Sequence, residues 1–249
     1  MGSLAGKNMT VIGGSRGVGR RIVEAGFRDG ARVLAVARGE DSLRQLSENM
    51  AGVETLSADA ADEAVASQVF DKMLPDVLVV CGGAYPPAAP LHELSWDEFA
   101  VNWSADTKIA FNFFKAALLR PLPKGSVILL ISSGAALAGS PNSGGYAGAK
   151  RTQIFLANYS QKESDRLGLG LRFISVAPRI MADTDFGQKA LAGYSRYLSK
   201  PVEDVIKAMP SAPTSSDVAD AVSDLATNPD PKRGSVFIVS GQGLEAVPS

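Results

Sequence analysis

Cysteine and histidine are nearly absent from this chain of 249 residues, each occurring once, as Cys81 and His92. One thiol forms no internal disulfide, and one Cys with one His builds neither a four-ligand nor a CxxC metal site. Charge of one sign is also missing: 25 Lys and Arg stand against 26 Asp and Glu, a formal net charge of -1. The basic excess of a nucleic-acid binder is not there, so a small-molecule ligand is the better expectation. Long hydrophobic runs are lacking as well, and none approaches the roughly 18 residues of a membrane span. The first strand-like run, 8–12, is broken by Gly13 and Gly14 too soon for a signal-peptide core. These absences predict a cytoplasmic protein in a reducing compartment, without membrane or metal.

What is present is an ordinary globular balance, 45% apolar and 20% charged residues, in a length that buries a large core within one domain spanning 1–249. Short aliphatic runs alternate with amphipathic stretches along the whole chain, the pattern of βα units around a parallel sheet. The strand candidates are 9–12, 32–36, 53–56, 77–80, 126–131, 172–176 and 235–239. Runs such as Val77-Leu78-Val79-Val80 are apolar on consecutive positions, as strands covered on both faces are. Val18, Ile22, Ala25 and Gly26 recur at helical spacing before Gly30, which predicts a first crossover helix. The segment 105–119 leaves little polar face, so it is expected to be buried on two sides, by the sheet and by either a partner subunit or the chain's own loops. The stretch 181–213, with Phe186, Tyr194, Tyr197 and Met209, is long for a connector and is the candidate substrate lid.

Directly after the first strand comes Gly13-Gly14-Ser15-Arg16-Gly17-Val18-Gly19. Glycines here let the backbone turn sharply and approach a pyrophosphate, whose charge meets the N-terminus of the following helix. The spacing departs from GxGxxG, so the loop also reads as a tight turn with close helix packing. At the end of the second strand, where an acidic residue would bind a ribose 2′-hydroxyl, stand Ala37 and Arg38. Arg38, with Arg16, suits a 2′-phosphate and favours NADP over NAD. The alternative is a pair of surface arginines bridged to Glu40 and Asp41.

The fifth strand runs into Ile131-Ser132-Ser133, and the next helix opens Tyr146-Ala147-Gly148-Ala149-Lys150, with Tyr and Lys on one helical face. Read alone, the pair is also the first turn of an amphipathic helix. Together with the glycine loop, Arg38, and Asp59 after the third strand, it makes the chain resemble a short-chain dehydrogenase/reductase over essentially its whole length. The resemblance implies an α/β fold of Rossmann type, doubly wound, with a seven-stranded parallel sheet and helices on both faces. It implies an adenine contact from Asp59 and a Ser133–Tyr146–Lys150 active site. It implies NADPH or NADP held by Gly13, Ser15, Arg16, Gly17, Val18, Gly19, Arg38, Asp59, Ala60, Gly82, Tyr146, Lys150, Pro178 and Met181. Such chains form homodimers or homotetramers. A tyrosine working near neutrality needs its pKa of about 10 lowered by about 3 units, roughly 4 kcal/mol, and a cation about 4 Å away at an effective dielectric of 20 supplies that much. Lys150 is expected to lower Tyr146 in this way, with help from oxidised nicotinamide.

The sequence departs from the family's pattern at four places. Ile12 replaces a threonine before the first glycine, and Val80-Cys81-Gly82-Gly83 replaces an Asn-Asn-Ala-Gly run. Cys81 reads as packing rather than as a redox thiol. Asp106 falls where the family carries an active-site asparagine, with Asn102 as the rival position. A carboxylate there would favour a charged Lys150 and alter the proton relay, and an Asp106→Asn variant is expected to be active. Pro178-Arg179 replaces Pro-Gly, and Arg179 either meets a substrate carboxylate or phenolate or points to solvent. His92 is expected to be solvated. The expected activity is NADPH-dependent reduction of a carbonyl on a small, apolar or aromatic substrate, with Tyr146 as proton donor. The alternatives are a non-redox enzyme on the same fold (dehydratase, epimerase or cyclase) and an NADP-binding regulatory protein.

Overall fold

The computed structural model describes residues 3–209, 211–228, 230 and 235–247. The expected domain span 1–249 and lid 181–213 therefore include positions outside the described residues. Along the chain the elements are β1 (Asn8–Ile12), α1 (Gly17–Arg28), β2 (Arg32–Ala37), α2 (Glu40–Asn49), β3 (Glu54–Ser57), α3 (Glu63–Lys72) and β4 (Val77–Val80). A helical run follows: α4 (Trp96–Asn102), a π-helical turn (Trp103–Thr107) and α5 (Lys108–Leu119). Then come β5 (Val127–Ile131), α6 (Ala135–Ala138), α7 (Gly144–Leu167), β6 (Arg172–Pro178), α8 (Asp185–Leu198), α9 (Val202–Lys207), α10 (Ser215–Thr227), β7 (Val236–Ser240) and β8 (Gly243–Ala246).

One sheet runs β3-β2-β1-β4-β5-β6-β7-β8. Its strands pair in parallel up to β7, and β8 turns back antiparallel. The doubly wound architecture agrees with the sequence, but the described residues form eight strands where seven were expected. β8 is Gly-Leu-Glu-Ala, mostly exposed, and joins β7 through a tight hairpin pairing Ser240 with Gly243 at φ 108°. A short polar edge strand has no apolar alternation by which to be recognised.

Consecutive apolar residues divide between two cores, as the sequence pattern requires. Val77, Val79, Val127, Leu129 and Ile131 face the cluster beneath α1, α2 and α10, whereas Leu78, Val80, Ile128 and Leu130 face the one beneath α3, α5 and α7. The apolar surplus of 105–119 also divides: Phe113, Phe114 and Ala117 are buried against the sheet, while Phe111 and Leu119 are exposed. That helix starts at Lys108 rather than Ala105, because a π turn intervenes. The candidate lid is helical, α8 and α9 being separated at Ser199 in the left-handed region, φ 52°. The strand order reverses between β1 and β4, and the crevice beyond their carboxyl ends is where such sheets bind ligands.

Candidate active site

A cleft of about 1470 Å³ occupies that crevice, from Arg38 to Tyr194. One end is built from backbone. Gly13 sits at φ 82°, and a Cβ there would lie 2.8 Å from the backbone of Gly82. A Cβ at Gly19 would lie 2.1 Å from the Gly13 carbonyl oxygen, so helix α1 can approach the turn only because that residue is glycine. Gly17, at φ 52°, faces open space. The 12-residue helix α1 has no side-chain cap at Arg16 and no acid in its first turn, which leaves its positive end for an anion. These residues fit a dinucleotide pyrophosphate. Arg16 and Arg38 are both exposed, and neither forms an ion pair among the described residues. Asp41, the partner considered for them, pairs with Arg44 instead. The Arg16 guanidinium lies 5.1 Å from the Tyr85 ring centroid. Asp59 accepts from the Ala61 N–H at 3.0 Å in the turn leading to α3, beside buried Ala60.

The other end is built from buried side chains. Ser133 follows β5, and Tyr146 and Lys150 project from the first turns of α7, where Gly145 lets the helix meet the Phe99 backbone. The Ser133 hydroxyl accepts from the Ala135 N–H at 3.2 Å and is close enough to Tyr146 to favour its ionised form, and the Lys150 ammonium lies 5.6 Å from the Tyr146 ring centroid. Lys150 donates to the Ile131 carbonyl at 3.2 Å, and the Ser132 hydroxyl donates to the Lys150 carbonyl at 3.1 Å.

The rivalry between Asn102 and Asp106 resolves into a partnership. Asp106, in the π turn, faces Lys150 with Oδ2 3.2 Å from Nζ, the two side chains 2% and 6% exposed. Its Oδ1 accepts from the Ala84 N–H at 2.9 Å and from Asn102 Nδ2 at 3.1 Å. Asn102 Nδ2 also donates to the Ala84 carbonyl at 2.9 Å. The Asp106 main-chain carbonyl accepts from Gln153 Nε2 at 2.6 Å.

Burial opposes the charge of Lys150, but the Asp106 carboxylate, together with Tyr146 and Cys81, outweighs it and raises the lysine's pKa. For Tyr146, burial raises the pKa, Lys150 and the Ser133 hydrogen bond pull it down, and Asp106 and Cys81 push it up. In the cofactor-free protein the balance lies above the ordinary tyrosine value, burial being the largest cause and the Asp106 charge a smaller one. Burial pushes the half-buried Cys81 thiol up to about 11, so it is a poor nucleophile.

Phe186 and Tyr194, expected as members of the lid, line the cleft, as does Lys189, which the sequence did not single out. Phe186 of α8 stacks on Tyr85 at 5.6 Å and tilts against Tyr146 at 5.5 Å. Lys189 lies 3.8 Å from the Tyr85 centroid. The Tyr194 hydroxyl is 2.9 Å from Ser140 Oγ. Gln153 was detectable, three residues beyond Lys150 on the same helical face. The loop contacts carried no such periodic signal. Pro178 accepts from the Gly134 N–H at 2.8 Å, Met181 packs on the core, Arg179 is exposed at the rim of the cleft, and His92 is exposed beside Glu93.

A doubly wound sheet with a glycine cradle at its switch point defines a dinucleotide-binding fold. Residues 7–194 match the short chain dehydrogenase family. A short chain dehydrogenase/reductase of the fungus Macrophomina phaseolina is 34% identical over 151 residues, 55% of this chain and 86% of that protein. The L-xylulose reductase of Bos taurus is 30% identical over 149 residues, 59% of this chain and 61% of that enzyme's length. Among solved structures, a short-chain dehydrogenase/reductase titled glucose/ribitol dehydrogenase, from Brucella melitensis, superposes with a TM-score of 0.83 at 21% identity, over 97% of this chain and 98% of that one. The chain belongs to the short chain dehydrogenase family. It is an oxidoreductase of the nicotinamide-dependent kind, and no helix among the described residues is long and apolar enough to cross a membrane.

Proposed function

We propose that the protein is an NADPH-dependent carbonyl reductase in which Tyr146 is the proton donor. The observation carrying this reading is the convergence of Ser133, Tyr146 and Lys150 at one end of a cleft whose other end offers a glycine cradle and two arginines without acidic partners among the described residues. Arg16 and Arg38 would hold the 2′-phosphate. Gly13, Ser15, Gly17, Val18 and Gly19 would hold the pyrophosphate, and Asp59 and Ala60 the adenine end. Gly82, Pro178 and Met181 would flank the nicotinamide. When bound, the reduced nicotinamide supplies the hydride.

The chain's residues handle the rest of the reaction. The Ser133 hydroxyl donates to the substrate's carbonyl oxygen and stabilises its developing negative charge. Tyr146 gives that oxygen its proton, turning the carbonyl into an alcohol. Lys150 stabilises the phenolate left behind, and Asp106 holds Lys150 in place. Phe186 and Tyr85 form an aromatic wall beside Tyr146, which suits an apolar or aromatic substrate; α8 and α9 are the proposed lid. Trp103, Phe111, Phe155 and Tyr159 are exposed on or beside α5 and α7, and this face is proposed for self-association into a homodimer or homotetramer. The single thiol fits a cytoplasmic setting.

A panel of ketones, aldehydes and quinones supplied with NADPH or NADH tests the reading. One alcohol formed per NADPH consumed, with NADH much poorer, is the expected result. No NADPH consumption with any carbonyl contradicts it.

A further inference from the structure

A tyrosine flanked by an unpaired lysine serves both directions of a redox reaction, as acid for reduction and, once ionised, as base for alcohol oxidation. In this chain the lysine is not unpaired. Asp106 lies 3.2 Å from Lys150, and both side chains are almost wholly buried. The carboxylate also accepts from the Ala84 N–H and from Asn102 Nδ2.

The two amides that hold this turn have only one workable orientation. Reversing Asn102 would turn its oxygen toward the Ala84 carbonyl and the Asp106 carboxylate, both acceptors. Reversing Gln153 would set oxygen against the Asp106 main-chain oxygen, to which Nε2 now donates at 2.6 Å. The remaining oxygens, Asn102 Oδ1 and Gln153 Oε1, are buried without a hydrogen-bond partner among the described residues. The pair is therefore oriented toward Asp106 although each leaves an acceptor unsatisfied. Gly83 completes the arrangement, since a Cβ there would lie 2.6 Å from the carboxylate.

We infer that Asp106, held by Ala84, Asn102 and Gln153, is a built-in counter-charge to Lys150 that keeps Tyr146 in its proton-donating form at neutral pH. Asp106 acts through Lys150 and is a positioning residue; Asn102 and Gln153 position it in turn. The inference rests on the proposed reductase reading and adds to it what sets the protonation state of its acid. The ionisable groups facing Tyr146 are Lys150 on its own helix, Asp106 from the π turn and Cys81 after β4, with Lys189 of α8 facing Tyr85 in the same cleft. Of these, Lys150 favours the phenolate, while Asp106 and Cys81 oppose it.

The test is an ultraviolet titration of the phenolate in the cofactor-free protein, with Tyr146 isolated by subtracting the spectrum of Tyr146→Phe. In the native sequence Tyr146 is expected to ionise above the ordinary tyrosine value of about 10. In Asp106→Asn it is expected to ionise at least about 1 unit lower, because the lysine charge is no longer matched. Asn102→Ala, which loosens the carboxylate without removing it, should fall between the two, and it carries the test if Asp106→Asn does not fold. An unmoved titration in folded Asp106→Asn, or in Asn102→Ala where that variant carries the test, overturns the inference, as does a native Tyr146 that ionises near neutrality. Failure of the reductase reading looks different: no NADPH consumption with any carbonyl, while the titration difference persists. Carbonyl reduction with an unmoved titration removes this inference alone.

Discussion

Around Gly13, Gly17 and Gly19 the cleft is lined by bare backbone and rimmed by exposed arginines, whereas around Tyr146 it is lined by buried side chains with opposite charges 3.2 Å apart. The proposed function accounts for the difference. A pyrophosphate carries its own charge and needs N–H groups and close approach, which glycine provides. Moving a proton needs a group whose ionisation is set by its surroundings, and burial with paired charges provides that. Substitutions at the two ends should therefore fail differently.

The largest effect is expected at the proton end. Lys150→Met leaves the Asp106 carboxylate buried without its cation, and should destabilise the fold by about 3–5 kcal/mol, read as a lower denaturation midpoint. An unchanged midpoint would mean that the two ends are not built differently after all. At the phosphate end, Arg38→Ala should weaken NADPH binding by about 1.5–3 kcal/mol, the worth of a hydrogen bond to a charged group, and leave NADH binding and the denaturation midpoint where they were. A parallel loss for both cofactors would take the 2′-phosphate away from Arg38. Gly19→Ala forces a Cβ against the Gly13 carbonyl and should cost about 1–3 kcal/mol of stability, with dinucleotide binding weakened while Tyr146 titrates as before.

The effect of pH follows in sign from the same charges. The acid form of Tyr146 is the one present below its pKa, and the balance of its surroundings raises that value. Reduction should then hold into the alkaline range and decline only as Tyr146 ionises, which a rate profile with saturating NADPH checks.

The backbone-built end was legible in the sequence, because glycines at a strand-to-helix junction report their constraint locally. Gly13 and Gly19 are close in the chain, and each answers a backbone contact that strand order alone dictates. Tyr146 and Lys150 were legible for a similar reason, as neighbours on one helical face. Asp106 was singled out by its place in the family's pattern, and with it the charge it would favour on Lys150. The balance at Tyr146 adds burial and a contact between α7 and a π turn more than forty residues earlier, and local periodicity carries no information about either. The same limit hid the contacts of Phe186 and Lys189 with Tyr85, which lies on a separate loop. β8 escaped because four mostly exposed residues at a sheet edge have no pattern to read.

The most direct measurement is NADPH consumption with diacetyl and the wider carbonyl panel, run side by side on the native protein and on Tyr146→Phe, with NADPH affinity measured for both. The account predicts turnover by the native protein, a loss of about 10²–10⁴-fold in the variant, and a far smaller change in NADPH affinity. Equal rates from the two proteins would contradict it.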